Sequence, residues 1–286
     1  MASRHAFIVF SLATLAHCGS DSTPPPEYPP LEPSQTAGLE TAKPATSTTA
    51  AATAAPKPQV SVTVAEHTPI EGAQPSLRIA APAKNATIRT DKVTVRLVLK
   101  QWPLSATGNH VHLIVDNHPY IALRDVSKPI DLGQLMQDEL GVELTEGTHV
   151  LRSFPSRGHH ESVKQDQPFA WTVFHFKKKT DGLQIDPKAP LLTYSRPKGC
   201  NKTGEPVLLD FYISNIDALS ADGFQVQYTI DSDVTGKITD WKPHHIHNLS
   251  AGEHSIRLQL LSKDGAPSPG PFNDTTRSIE VADTCK

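Results

Sequence analysis

The feature that most constrains this chain is that its second half repeats its first. "LRIAAPAKNATIRTDKVTVRLVLKQWPL" at 77–104 aligns, after a small gap, with "LTYSRPKGCNKTGEPVLLDFYISNIDAL" at 192–219, and "NHVHLIVDN" at 109–117 aligns with "FQVQYTIDS" at 224–232. "LTEGTHVLRSFPSRG" at 144–158 then matches "LSAGEHSIRLQLLSKDG" at 249–265. The offset is about 115 residues, too long for a solenoid unit and suited to tandem domains. Whatever fold one copy adopts, the other must adopt as well, and 286 residues leave room for two domains of ordinary size.

Each copy reads as short runs of period-two alternation with a turn every eight to twelve residues, the pattern of an antiparallel β-sandwich. In 224–230, Phe224, Val226, Tyr228 and Ile230 point one way while Gln225, Gln227 and Thr229 point the other. The first copy alone carries "PIDLGQLMQDELGV" at 129–142, in which Leu132, Leu135, Met136 and Leu140 have helical spacing. The expectation is all-β: two tandem immunoglobulin-like sandwiches at 76–178 and 190–286, joined by 179–189, with one short helix inserted in the first. The clause Leu-x-x-Gly-x-His recurs at Leu144–His149 and Leu249–His254. It resembles the turn-into-strand step of bacterial immunoglobulin-like and fibronectin III-like domains. The repeated His149 and His254 fall on the inward side of their strands, where a corner hydrogen bond is expected.

Ahead of the repeats, Ala6–Ala16 is an uninterrupted run of apolar or small residues after Arg4. At about 1.5 Å per residue it spans roughly half a bilayer, so residues 1–18 read as a signal peptide rather than a membrane-spanning helix. Leu15-Ala16-His17-Cys18 resembles the lipobox of bacterial lipoproteins, with His17 standing where a small residue is usual. That resemblance implies lipidation of Cys18 and a membrane anchor; plain secretion or an uncleaved anchor are the alternatives. Residues 19–75 are rich in Pro, Thr, Ala and Ser and are expected to be a disordered linker, with "VSVTV" at 60–64 too isolated to fold alone. Signal, tether and repeats together, with phrases such as "HLIVDNHPY", "THVLRSFPSRGHHES" and "DPKAPLLTYSRPKG", resemble a group of bacterial lipoproteins with tandem immunoglobulin-like or fibronectin III-like domains. The resemblance covers about 77–283 and implies no activity; Gly19 after Cys18, rather than Asp, resembles the pattern of lipoproteins exported to an outer membrane, so the expected location is the cell envelope, at the outer membrane.

Cys200 and Cys285 bracket the second copy, and an exported chain meets an oxidising compartment. A bridge between them is expected, two exposed thiols being the alternative. A net charge of −3 gives no basic footprint, so nucleic acid is not an expected partner. The chain lacks the serine-hydrolase elbow, the His-Glu-x-x-His zinc motif, Cys-x-x-Cys, the phosphate loop and the dinucleotide fingerprint, so no catalytic residue and no cofactor is expected. "DSDVTG" at 231–236 begins like a calcium loop but reaches Lys242 where a bidentate glutamate is needed, and reads as a hairpin turn.

Histidine is the one overused functional residue type, at 14. His110 and His112 lie on one face of a strand, opposite Val111, Leu113 and Val115. Gln225 and Gln227 occupy the equivalent places in the second copy, so this face is expected to be solvated. His175 can share it, and His159 and His160 lie in the preceding loop. Val150, Phe154, Trp171 and Val173 form an apolar patch nearby, calling for the second domain or a partner to cover it. Two readings follow. One is a non-enzymatic envelope lipoprotein displaying its domains to a protein or surface ligand. The other is a periplasmic metal-binding protein using His110, His112, His159, His160 and His175, although a strand between His175 and the others would hold those rings apart.

Overall fold

In the computed structural model the described residues are 59–285 apart from 182 and 184. In chain order the elements are β1 (Ser61–Val64), β2 (Ser76–Ala81), β3 (Ala86–Ile88), β4 (Thr94–Lys100), β5 (His110–Val115), β6 (Ile121–Leu123), β7 (Ile130–Asp131), α1 (Leu132–Leu140), β8 (Gly147–Ser156) and β9 (Ala170–Phe176). The second copy follows with β10 (Leu191–Arg196), β11 (Gly199–Lys202), β12 (Val207–Ser214), β13 (Gln225–Ile230), β14 (Val234–Ile238), β15 (His244–His247), β16 (Gly252–Leu261) and β17 (Asp274–Ala282).

They form two immunoglobulin-like sandwiches. The first packs the sheet β2-β4-β7 on the sheet β3-β9-β8-β5-β6; the second packs β1-β15-β12-β10 on β11-β17-β16-β13-β14. The duplication extends to fine detail. β3 runs parallel to β9 as β11 does to β17, while the other pairings are antiparallel. β2 and β10 each carry a register shift near their ends, between Ile79 and Ala81 and between Tyr194 and Arg196, and each is followed by a cis proline, Pro82 or Pro197.

Alternation explains both cores. Val111, Leu113 and Val115 of β5 join Val95, Leu97, Leu151 and Phe174 inside the first sandwich. Val226 and Ile230 of β13 join Leu209, Phe211, Ile213, Ile256 and Leu258 inside the second. Each such side chain contributes about 1.5–3 kcal/mol by leaving water. The inserted segment is helical as its spacing indicates. Asp131 caps α1 through Gln134 N–H at 3.3 Å, Gly141 ends it at a left-handed φ of 65°, and Leu132 and Met136 reach the first core.

Two expectations need correction. Residues 61–64 do not belong to a linker: β1 pairs antiparallel with β15 along its whole length, and Val60 and Val62 pack on the second core. A four-residue strand cannot stand alone, but it can complete an edge supplied by a distant part of the chain. That edge is β15, in the stretch "PHHIHN" at 243–248, with His244 and Ile246 buried. The following residues are held too, through Ala65 N–H to Pro243 O at 2.9 Å and Ile70 N–H to Gln165 Oε1 at 3.1 Å. Cys18, the signal segment and the part of the linker before residue 59 lie outside the described residues.

The second correction concerns the outer face of the five-stranded sheet of the first sandwich. It is not solvated, because β10 and β12 of the second sandwich cover it. Ile114, Tyr120 and Phe154 meet Tyr212, with Phe169 and Trp241 beside them; Val150 meets Leu191 and Phe272, with Trp171 and Val173 alongside. Both sandwiches fall within one compact unit.

Candidate functional site

The seam between the sandwiches is polar as well as aromatic; Arg152, Lys164 and Asp210 find partners in it, while the Tyr212 hydroxyl and Arg152 Nε have none. Arg152, on the outward side of β8 and 1% exposed, donates to Thr193 Oγ1 at 2.9 Å, Leu192 O at 3.3 Å and Asp116 O, while its guanidinium lies 3.8 Å from the centre of the Phe272 ring. Lys164 makes a buried ion pair with Asp210 of β12, whose second oxygen accepts the Ser162 N–H at 3.1 Å. Nearby, buried Glu161 takes His159 Nε2 at 2.9 Å and the Nδ1 of His67.

At one end of this seam three imidazoles converge. His110 and His112 are both fully buried, neighbours on the same side of β5. His160 approaches them from the loop between β8 and β9. That loop is folded tightly by hydrogen bonds from Arg157 N–H to Glu161 O and from His160 N–H to Arg157 O, both 2.9 Å, with His160 in the left-handed region at φ 71°. His110 Nε2 lies 3.0 Å from His112 Nε2 and 2.9 Å from His160 Nδ1. One ligating nitrogen from each ring falls within 4.8 Å of the others.

Outer contacts fix the rings. His110 Nδ1 donates to Gly108 O at 3.0 Å, and His112 Nδ1 meets Ser195 Oγ of β10 at 3.2 Å. Tyr120 stacks on His112 with ring centres 3.6 Å apart and 13° between planes, and Phe154 meets it edge-on at 5.4 Å. All three rings stay neutral near pH 7. Burial lowers His110, aided by Arg124, Arg196 and Lys198; burial and then the two neighbouring histidines hold His112 well below the usual value; burial and Arg196 push His160 down to about 3. A neutral imidazole is the form that ligates a metal.

Of the five histidines expected to act together, the structure assembles three. His159 is largely exposed and bound to Glu161. His175 lies on β9, with β8 between it and β5, and meets Thr148 Oγ1 at 3.0 Å. Cys200 and Cys285 are bonded, with Cα atoms 5.5 Å apart. Asp231, the first residue of the calcium-like stretch, is engaged instead with His254 at the turn between β13 and β14. The residues that complete the site, Tyr120 and Ser195, carry no motif; Ser195 comes from the other copy.

No family model matches the chain, and no curated protein matches it. Among solved structures it is similar to the fibronectin(III)-like modules of Clostridium thermocellum CbhA, at 13% identity over 72% of this chain and 95% of that one, with a TM-score of 0.27. It is also similar to SGBP-B of the Bacteroides ovatus mixed-linkage glucan utilization locus, solved with a mixed-linkage heptasaccharide, at 16% identity over 73% of this chain and 47% of that one, with a TM-score of 0.22. The chain thus spans about half the length of SGBP-B, and neither likeness bears on its activity. What the topology itself defines is an all-β protein of two immunoglobulin-like sandwiches.

Proposed function

We propose that this chain is a non-enzymatic binding protein of the cell envelope, exported by residues 1–18, anchored through a lipid on Cys18, and presenting its two sandwiches as one body to a protein or surface ligand. The observation that carries the reading is the seam. Arg152, Lys164 and Asp210, charged groups buried in the seam, are each engaged by a group of the opposite sandwich. With these sheet faces occupied by each other, presentation falls to the loops and strand edges at the periphery. A net charge of −3 argues against nucleic acid as the ligand.

Two membrane signals hold a protein better than one, and several acyl chains on one cysteine suffice at about 0.8 kcal/mol per buried methylene. Cys18→Ser is therefore expected to move the protein from the membrane fraction to the soluble fraction and to abolish labelling by a fatty-acid probe. Retention in the membrane with an uncleaved N-terminus would overturn the anchored reading.

A further inference from the structure

We infer that His110, His112 and His160 form a binding site for one first-row transition-metal ion, of the zinc or copper class, at the seam of the two sandwiches. His110 Nδ1 donates to Gly108 O, which leaves one in-plane lone pair on Nε2 of that neutral ring. Two further ring nitrogens, His112 Nε2 and His160 Nδ1, approach this single lone pair at 3.0 and 2.9 Å. One lone pair cannot serve two N–H donors well, so protons alone leave the triangle poorly satisfied.

A metal ion reverses the count by accepting a lone pair from each ring. Zn–N bonds of about 2.0–2.1 Å place tetrahedral ligand nitrogens about 3.3 Å apart, and the two close separations fall within about 0.4 Å of that. The third pair needs only to close from within 4.8 Å, which rotation of the half-buried His160 can supply. The outer contacts are those of a ligating histidine: a backbone carbonyl on the far nitrogen of His110 and a hydroxyl on that of His112.

Three imidazoles leave the fourth tetrahedral position open. Arg124, Arg196 and Lys198 stand around the cluster, and their charge favours an anion there over a neutral ligand. Imidazole donors suit zinc and copper, with copper(II) the tighter of the two by the general affinity order. Because His112 also touches Ser195, an ion bound here ties the stability of the seam to metal occupancy.

The test uses the full chain with Cys18→Ser, so that no free thiol competes, stripped with a chelator and titrated separately with Zn²⁺ and Cu²⁺. One ion per chain is expected by calorimetry and metal analysis, together with a higher melting temperature. His160→Asn keeps a residue that tolerates the left-handed backbone and is expected to weaken binding at least tenfold while leaving the metal-free melting temperature unchanged. The double change His245→Asn, His247→Asn, on the separate pair in β15, is expected to leave binding intact. Copper(II) electron paramagnetic resonance of the unsubstituted histidine set should show three nitrogen ligands. Failure to bind one ion at tenfold excess, indifference to His160→Asn, loss in the His245/His247 double variant, or fewer than three nitrogen ligands would each overturn the site.

Discussion

Asp116 holds His149 and the residue after it at once: its Oδ2 accepts His149 Nδ1 at 2.7 Å while its Oδ1 accepts the Val150 N–H at 2.8 Å. The second sandwich repeats the device with Asp231, His254 and Ser255 at 2.6 and 2.8 Å. In both copies the far nitrogen of the histidine reaches a carbonyl four residues back, Thr145 or Ser250, and the aspartate sits at a left-handed φ of 49° or 51°. The corner locks the turn after one strand to the start of another. Replacing His149 or His254 by Ala is expected to cost about 1–3 kcal/mol, the usual price of an unsatisfied buried partner, as read from urea unfolding. A loss below about 0.5 kcal/mol would show the corner to be ornamental.

The corners also set a pH dependence. Burial alone would lower both histidines, but the hydrogen bonds and charge of Asp116 and Asp231, with the Thr145 and Ser250 carbonyls, outweigh it and raise them above 6.5. A raised folded value stabilises in full below the unfolded value and loses that contribution as pH rises through the folded one. Stability of the native chain relative to Asp231→Asn should therefore be greatest below pH 6.5 and narrow as the pH rises beyond it. Parallel stability curves from pH 6 to 9 would contradict this.

The buried Lys164–Asp210 pair makes the seam intolerant of a single loss. Lys164→Met leaves a carboxylate uncompensated and is expected to destabilise by about 3–5 kcal/mol. Adding Asp210→Asn removes the charge while keeping an acceptor for Ser162 N–H, and most of the loss should return. Equal stability of the single and double variants would mean that the charge is not what the seam resists.

Reducing the Cys200–Cys285 bridge is expected to destabilise the protein, since it closes a separation of 85 residues, worth about 4–5 kcal/mol in the chain-entropy treatment. Thiol labelling checks the starting state. Both cysteines should resist a thiol reagent in native, unreduced protein and react after reduction and unfolding.

Much of this fold is written in alternation. Val111, Leu113 and Val115, or Val226 and Ile230, declare their faces by spacing, and α1 declares itself through Leu132 and Met136. The corners were legible because His149 and His254 recur at one repeat position. The seam was legible only in part: Val150, Phe154, Trp171 and Val173 declared an apolar patch that the second domain or a partner had to cover, but alternation does not say which strands cover it or how far the cover extends. His110 and His112 therefore read as wet although they are buried. A signal was present in "LLDFY", where Asp210 stands among apolar residues, and in "VLRSF", where Arg152 does. A charge embedded in such a run is costly unless a partner awaits it. The convergence of His160 on His110 depends on a loop whose path no periodicity encodes.

The position of β1 has a consequence for the order of synthesis. Thr63 and its partner His247 are 184 residues apart, so at the usual 5–20 residues per second the first strand is made roughly 10 to 40 s before the edge it completes. Throughout that interval the first sandwich can close from purely internal pairings, whereas the second must wait for nearly the whole chain, Cys285 included. Among the described strands β1, the first to be made, is thus among the last to dock, and any factor that binds the chain before it has folded meets "VSVTV" with its hydrogen-bonding edge still open.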